Sequence, residues 1–135
     1  MRDKNREEAE RWWRQAERDL KAAKDSMGSE DFEWACFQCQ QSAEKALKAY
    51  LYSVGKRLIF SHSILDLVRS CSKLEKSFIR LEKEAKELDH HYLPTRYPNT
   101  FARGSPYEYY SKEDADQCIN YAQKFVKKVK EILNF

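Results

Sequence analysis

Turn-forming residues are scarce in this sequence. Its 135 residues include only 3 glycines and 3 prolines. Sandwiches and barrels of many strands need Gly- and Pro-rich turns about every 8–12 residues, so the scarcity excludes those folds. One core organises a chain of this length, and we expect a single domain over residues 1–135.

The sequence also lacks long apolar runs and an excess of one charge. No apolar stretch approaches the roughly 20 residues of a membrane-spanning helix, and Met1–Glu10 is polar. We therefore expect a cytoplasmic protein with no signal peptide and no membrane contact. The 25 Lys/Arg and 22 Asp/Glu are interleaved, for a net charge of +3, so no strongly basic surface is predicted. Aromatic residues, at 13%, are numerous enough for an ordered core.

The sequence has four cysteines, which are Cys36, Cys39, Cys71 and Cys118. Disulfides are rare in cytoplasmic proteins. Cys36 and Cys39 form a single Cys-x-x-Cys within a helical pattern, and a zinc site would need a second ligand pair. His90 and His91 would supply that pair only if the fold happened to bring them close. We therefore expect buried free thiols, no metal and no cofactor.

Apolar residues at spacings of three and four predict four or five helices. The predicted segments are about Arg6–Met27, about Glu30–Val54, a third capped by Ser61 or Ser63, a fourth along Phe78–Tyr92, and a last one opened by Ser111-x-x-Asp114. The second is apolar on several sides, so we place it centrally. The predicted fold class is all-α, an antiparallel up-and-down bundle of four to five helices.

Several expectations concern the ends of these helices. Gly28 fits the residue after the first helix, and Ser29 fits the N-cap of the second. Gly55 ends the second helix, and Lys56–Phe60 is expected to fold its apolar tip back onto the bundle.

Two apolar residues lie outside the main helical stripes. They are Trp12 and Phe135, which we expect to form an exposed apolar patch. Such a patch suits a homodimer interface, so a purely structural dimerisation module is one interpretation of the chain.

The sequence has one long irregular segment, Pro94–Tyr110, which contains all 3 prolines. Such loops are often functional. Asp89, Tyr92, Arg96 and Tyr97 stand at its start, where arginine can pair with phosphate and tyrosine rings can stack on bases. The alternative is local: Asp89 and Arg96 tether the loop, and the tyrosines cover the edge of the core.

Three segments, Trp13–Leu20, Ala35–Ala49 and Leu88–Pro98, resemble the HEPN domain, a nucleotide-binding helical domain of prokaryotes and higher eukaryotes. The most specific parts are the run from Gln40 to Ala49 and the Pro-Thr-Arg-Tyr-Pro motif. The resemblance implies a helical bundle, often dimeric, related to the C-terminal domain of aminoglycoside nucleotidyltransferases. Small stand-alone members often pair with a minimal nucleotidyltransferase in a toxin–antitoxin-like pair.

Many HEPN proteins are metal-independent RNases whose signature is Arg, four to six residues, then His, late in the fold. The only match here is Arg57 to His62, between the second and third helices, and no histidine follows His91. We therefore interpret His62 as a helix-start residue and regard Arg57 and His62 as weak catalytic candidates. An RNase toxin remains the alternative.

We therefore expect a non-catalytic HEPN subunit that binds a nucleotide, a nucleotidyltransferase partner, or both. The expected contacts are Asp89, Tyr92, Arg96 and Tyr97, with Gln41 and Lys45 from the polar face of the second helix. Glu44 and Lys48 lie on the same polar face. These helix residues equally suit an ordinary solvated helix face. RNA is a possible ligand of the RNase alternative.

Overall fold

Five α-helices form the part of the chain that the computed structural model describes, residues 3–135, and no β-strand occurs there. They are α1 (Lys4–Gly28), α2 (Phe32–Ser53), α3 (Ile64–Ser72), α4 (Glu82–Asp89) and α5 (Lys112–Leu133). Short 3-10 helices span Lys76–Leu81, Pro98–Thr100 and Pro106–Glu108. None of the described helices combines the length and the apolar character needed to cross a membrane. The predicted all-α bundle is confirmed.

Helix α2 lies at the centre of the bundle, as its broad apolar surface predicts. It packs against α1, α5, α3 and α4. Small residues bring it close to α1, where the buried Ser42 hydroxyl donates to the Ala16 carbonyl at 2.6 Å. From the same buried face of α1, the Trp13 indole donates to the Val126 carbonyl of α5 at 3.1 Å. These bonds fix the positions of the three long helices relative to one another. The shorter helices α3 and α4 pack against α2.

Local sequence signals place most of the helix ends. Ser63 is the N-cap of α3, and its hydroxyl accepts from the backbone N–H of Asp66. Ser111 and Asp114 form a reciprocal capping box at the start of α5. Gly55 follows α2 with φ +88°, a conformation that costs glycine little. All three features agree with the sequence predictions.

The turn between α1 and α2 differs from the prediction. Gly28 is the last residue of α1, and Asp31, not Ser29, is the N-cap of α2. The chain reverses at Glu30, whose φ is +65°, and the Asp31 N–H donates to the Ser26 carbonyl at 2.8 Å. The turn therefore has a glutamate in the left-handed backbone conformation. The prediction placed the turn at Gly28, because glycine adopts that conformation most easily.

The connector between α2 and α3 does not fold its apolar tip onto the bundle, contrary to the prediction. Leu58 and Phe60 are each 78% exposed, and only Ile59 packs against the core. The backbone turns at Leu58, whose φ is +58°, so the connector is not a continuous extended segment, and only its middle apolar residue reaches the core.

The predicted exposed patch of Trp12 and Phe135 is also wrong, since both side chains are partly buried against the core. The Trp12 ring lies 5.1 Å from that of Tyr52, centroid to centroid. Phe135 packs on Trp13 at 5.5 Å, and the Arg6 guanidinium covers it at 4.8 Å. Contacts with neighbouring helices bury both rings. The spacing of apolar residues along one helix cannot predict contacts that other helices make.

Candidate functional site

The chain that follows α4 is held by a series of tight turns. The N–H of Tyr92 donates to the Asp89 carbonyl, and the N–H groups of Arg96 and Tyr97 both donate to the Leu93 carbonyl. Thr95 is 2% exposed, and its hydroxyl donates to the His91 carbonyl at 2.7 Å. The start of the long irregular segment is therefore an ordered platform for its side chains.

Arg96 lies in an aromatic cage on this platform. Its Nε and Nη2 donate to the Tyr92 carbonyl at 2.9 and 2.7 Å. The guanidinium carbon lies 4.3 Å from the ring centroid of Phe37, 4.7 Å from that of Tyr92 and 5.1 Å from that of Tyr97. The structure thus brings three predicted residues together. Phe37 of α2 was not predicted as a site residue, because its apolar side chain was expected to lie in the core.

His62 approaches the same aromatic group from the connector before α3. Its ring stacks on Tyr92 at 5.5 Å with 15° between the planes. Its Nδ1 lies 3.2 and 3.3 Å from the two carboxylate oxygens of Glu44, and the side chain is 57% exposed. When Nδ1 carries the hydrogen and donates to Glu44, Nε2 keeps a lone pair that can take part in proton transfer.

Glu44 is buried beneath His62 in a polar network on α2. Lys48 Nζ donates to Glu44 at 2.9 Å, and both side chains are almost fully buried. Gln40 donates to Glu44 at 3.5 Å and to the His62 carbonyl at 2.9 Å. We call Glu44, His62, Tyr92 and Arg96 the histidine–arginine cluster. The sequence places Glu44 on the polar face of the second helix, but it does not predict the contact with His62, because that contact depends on how the connector packs.

The other predicted site residues have different partners. Asp89 accepts from the Ser63 hydroxyl and from the N–H groups of Ile64 and Leu65, at 3.0, 2.6 and 3.0 Å. Its carboxylate joins the end of α4 to the start of α3, as the local alternative has it.

The two predicted site residues of α2 have partners outside the histidine–arginine cluster or at its edge. Lys45 pairs with Asp19 of α1 at 2.6 Å. Gln41 donates to the side chain of Gln40 at 2.7 Å and so reaches the histidine–arginine cluster indirectly.

Arg57 and His62 have no hydrogen bond with each other among the described residues. Arg57 donates to the Asn5 side chain of α1 at 2.7 Å, and its guanidinium lies 5.5 Å from the Tyr52 ring centroid. The arginine that shares an aromatic neighbour with His62 is Arg96, and that neighbour is Tyr92. The signature of Arg, four to six residues, then His does not detect Arg96, because Arg96 follows His62 in the sequence.

A separate group of ligating side chains lies inside the bundle. Cys36 of α2, Cys118 of α5 and His91 each contribute one ligating atom, and these atoms lie within 4.8 Å of one another. The hydrogen bond between the two thiols, and then burial, raises the pKa of Cys36, while the same bond lowers that of Cys118. Burial is the largest influence on the pKa of His91 and acts to lower it. The hydrogen bond with Cys118 and the negative charges of Cys118, Asp114 and Glu87 together outweigh burial, so the pKa is raised overall.

Comparisons with known proteins relate the chain to other sequences. The sequence model of the HEPN domain matches residues 9–132. The chain is also similar to a Methanocaldococcus jannaschii protein whose name is "Putative toxin MJ1304". The two are 30% identical over 130 residues, and the match covers 89% of this chain and 84% of the relative.

Solved structures share the fold. A protein from Thermus thermophilus superposes with a TM-score of 0.83 at 37% identity, over 91% of this chain and 96% of that one. An archaeal HEPN homologue gives a TM-score of 0.74 at 40% identity, over 93% and 97% of the two chains. A HEPN domain protein from Thermotoga maritima gives 0.73 at 30% identity, over 92% and 98%.

Proposed function

The chain belongs to the HEPN domain family, and we propose that it is a non-catalytic subunit that binds a nucleotide at the histidine–arginine cluster. We further propose that its partner is a minimal nucleotidyltransferase, in a toxin–antitoxin-like pair. The naming of the M. jannaschii relative as a toxin supports this setting.

The caged Arg96 is the observation that carries the nucleotide-binding proposal. Two hydrogen bonds to the Tyr92 carbonyl fix the guanidinium without using Nη1. A phosphate that approaches Nη1 therefore meets a cation whose orientation is already set, which reduces the entropic cost of binding. Tyr97 is 48% exposed, so its ring is accessible to a nucleobase. Base stacking on an aromatic ring contributes about 1–3 kcal/mol.

The exposed connector supports the partner-binding part of the proposal. Leu58 and Phe60 project into solvent immediately before His62 in the chain. Exposed apolar side chains beside a polar cluster are typical of protein contact surfaces. We place the nucleotidyltransferase over this connector and the Asp89–Tyr97 segment. A homodimer stays a prediction of the family resemblance.

Calorimetric titration with ATP and GTP tests nucleotide binding. We expect binding by the wild type and an affinity about 10- to 100-fold lower in Arg96→Ala, because a charge-assisted contact contributes about 1.5–3 kcal/mol. Arg103→Ala is the matched control, since Arg103 is an exposed arginine of the same irregular segment. A wild type that binds neither nucleotide, or an Arg96→Ala variant that binds as tightly as the control, refutes the proposal.

A second candidate function, metal-independent RNA cleavage, is favoured by the contact between His62 and Glu44. In this reaction, His62 Nε2 takes the proton of a ribose 2′-hydroxyl, and the 2′-oxygen attacks phosphorus. The bond from phosphorus to the 5′-oxygen breaks, and that oxygen takes a proton from the imidazolium. The products are a cyclic phosphate and a free 5′-hydroxyl. Arg96 replaces Arg57 as the residue that offsets the phosphate charge.

Incubation with tRNA in the presence of EDTA decides between the two functions. The non-catalytic proposal expects no cleavage by the wild type. The RNase candidate expects cleavage that falls by about 100-fold or more in His62→Ala, the usual effect of removing a general base. His90→Ala serves as the control, because His90 is an exposed histidine outside the histidine–arginine cluster. Cleavage that survives in His62→Ala rules out His62 as the base.

A further inference from the structure

We propose that Cys36, His91 and Cys118 form a zinc-binding site inside the bundle. The three side chains come from α2, from the turn after α4 and from α5, and one ligating atom of each lies within 4.8 Å of the other two. None of them belongs to the histidine–arginine cluster, so this inference is independent of the proposed function. It also departs from the sequence-based expectation of no metal.

The distances suit three of the four ligand positions around a tetrahedral ion. With Zn–S bonds of about 2.3 Å and Zn–N bonds of about 2.0–2.1 Å, tetrahedral ligand atoms lie about 3.5–3.8 Å apart. The observed upper limit of 4.8 Å therefore requires a contraction of about 1 Å, which small side-chain rotations can supply.

The donor set also identifies the class of metal. Thiolate sulfur and imidazole nitrogen are ligands that zinc prefers over the oxygen ligands of magnesium or calcium. Two thiolates balance the charge of Zn²⁺, and a neutral imidazole adds none, so the occupied site is neutral overall. Neutrality is important here, because Cys36 and Cys118 are 0% and 1% exposed, and an uncompensated buried charge is costly.

Neighbouring groups orient the ligands without competing for the metal. Tyr110 Oη lies 3.2 Å from His91 Nδ1, so the tautomer with hydrogen on Nδ1 can donate to Tyr110 and keep the lone pair on Nε2. Metal-bound histidines commonly have such an outer hydrogen-bond partner. Asp114, the acid that affects both His91 and Cys118 electrostatically, uses its carboxylate in the capping box of α5.

Zinc at this position would join α2, α5 and the turn after α4. It would link α2 to α5 and fix His91, whose carbonyl accepts the Thr95 hydroxyl. Because a metal that binds only the folded state stabilises it, we expect zinc to raise the melting temperature.

The test uses tag-free protein that is reduced, stripped with EDTA, mixed with excess Zn²⁺ and desalted. We expect about one zinc ion per chain by elemental analysis. Cobalt in place of zinc should give thiolate-to-metal charge-transfer absorption. The control is Cys71→Ser, since Cys71 is a buried cysteine whose thiol contacts the Leu47 carbonyl instead. We expect the control to keep its zinc.

We expect Cys118→Ser and His91→Gln to retain almost no zinc, and circular dichroism monitors their folding. His91→Gln is the decisive variant if Cys118→Ser unfolds, because His91 is only partly buried. A wild type that retains no zinc overturns the proposal. So does a His91→Gln variant that keeps both the stoichiometry and the cobalt spectrum of the wild type. No nucleotide or RNA is present, so the result is separate from the test of the proposed function.

Discussion

Replacing Glu44 with alanine is expected to lower the free energy of unfolding by about 3–5 kcal/mol. The variant removes the carboxylate that accepts from Lys48 at 2.9 Å. Lys48 is 3% exposed, so its ammonium would remain buried without its anionic partner. Removing one member of a buried pair is costly for this reason, although the intact pair itself adds little stability. Urea denaturation followed by circular dichroism measures the effect.

The exposed Glu17 of α1 provides the matched control. Glu17→Ala should change the free energy of unfolding by no more than about 0.5 kcal/mol, as is usual for surface positions. A double variant, Glu44→Leu with Lys48→Met, should lose much less stability than Glu44→Ala, because it leaves no unpaired charge in the core. A loss below about 1 kcal/mol in Glu44→Ala would show that Lys48 finds water or another partner.

Replacing Asp89 with alanine is expected to lower the free energy of unfolding by about 2–4 kcal/mol. The carboxylate accepts three hydrogen bonds at the start of α3, two of them from the backbone N–H groups of Ile64 and Leu65. These N–H groups are in the first turn, where a helix supplies no acceptor of its own. Denaturation measures the loss, and hydrogen exchange should become faster at Ile64 and Leu65.

Asp66 is the control for this effect, because it is an exposed aspartate in the same first turn of α3. Asp66→Ala removes only its favourable charge at the helix N-terminus, which contributes about 0.3–1 kcal/mol. Asp89→Asn should fall between the wild type and Asp89→Ala, because an amide keeps one acceptor oxygen. If Asp89→Ala is no less stable than Asp66→Ala, the carboxylate does not anchor α3, and its predicted ligand-binding role becomes the better explanation.

The fold was largely predictable because its signals are local. Apolar spacing of three and four residues located the long helices, and Ser63, Ser111 and Gly55 marked helix ends through contacts within a few residues. Prediction failed where burial depends on distant elements. Trp12 lies outside its helical stripe and is nevertheless covered, because Tyr52 of α2 packs beside it.

The candidate site was predictable only in part. Tyr92, Arg96 and Tyr97 lie within six residues of one another, so the sequence itself keeps them close, and the structure brings their side chains together. Asp89 lies in the same segment, yet its carboxylate is used in capping α3. Lys45 lies on the predicted helix, but its side chain is directed toward α1, where it pairs with Asp19. Nearness in sequence was therefore necessary for the prediction but not sufficient.

By itself, the sequence determined an all-α bundle whose few glycines and prolines leave one long irregular segment, because helix formation and termination depend on neighbouring residues. Only the tertiary structure decided which side chains meet across elements. It joined Glu44 to His62, Asp89 to the start of α3, and Cys36 to Cys118 and His91. Such contacts depend on how helices pack and where a connector crosses them, and residue spacing along one helix contains neither quantity.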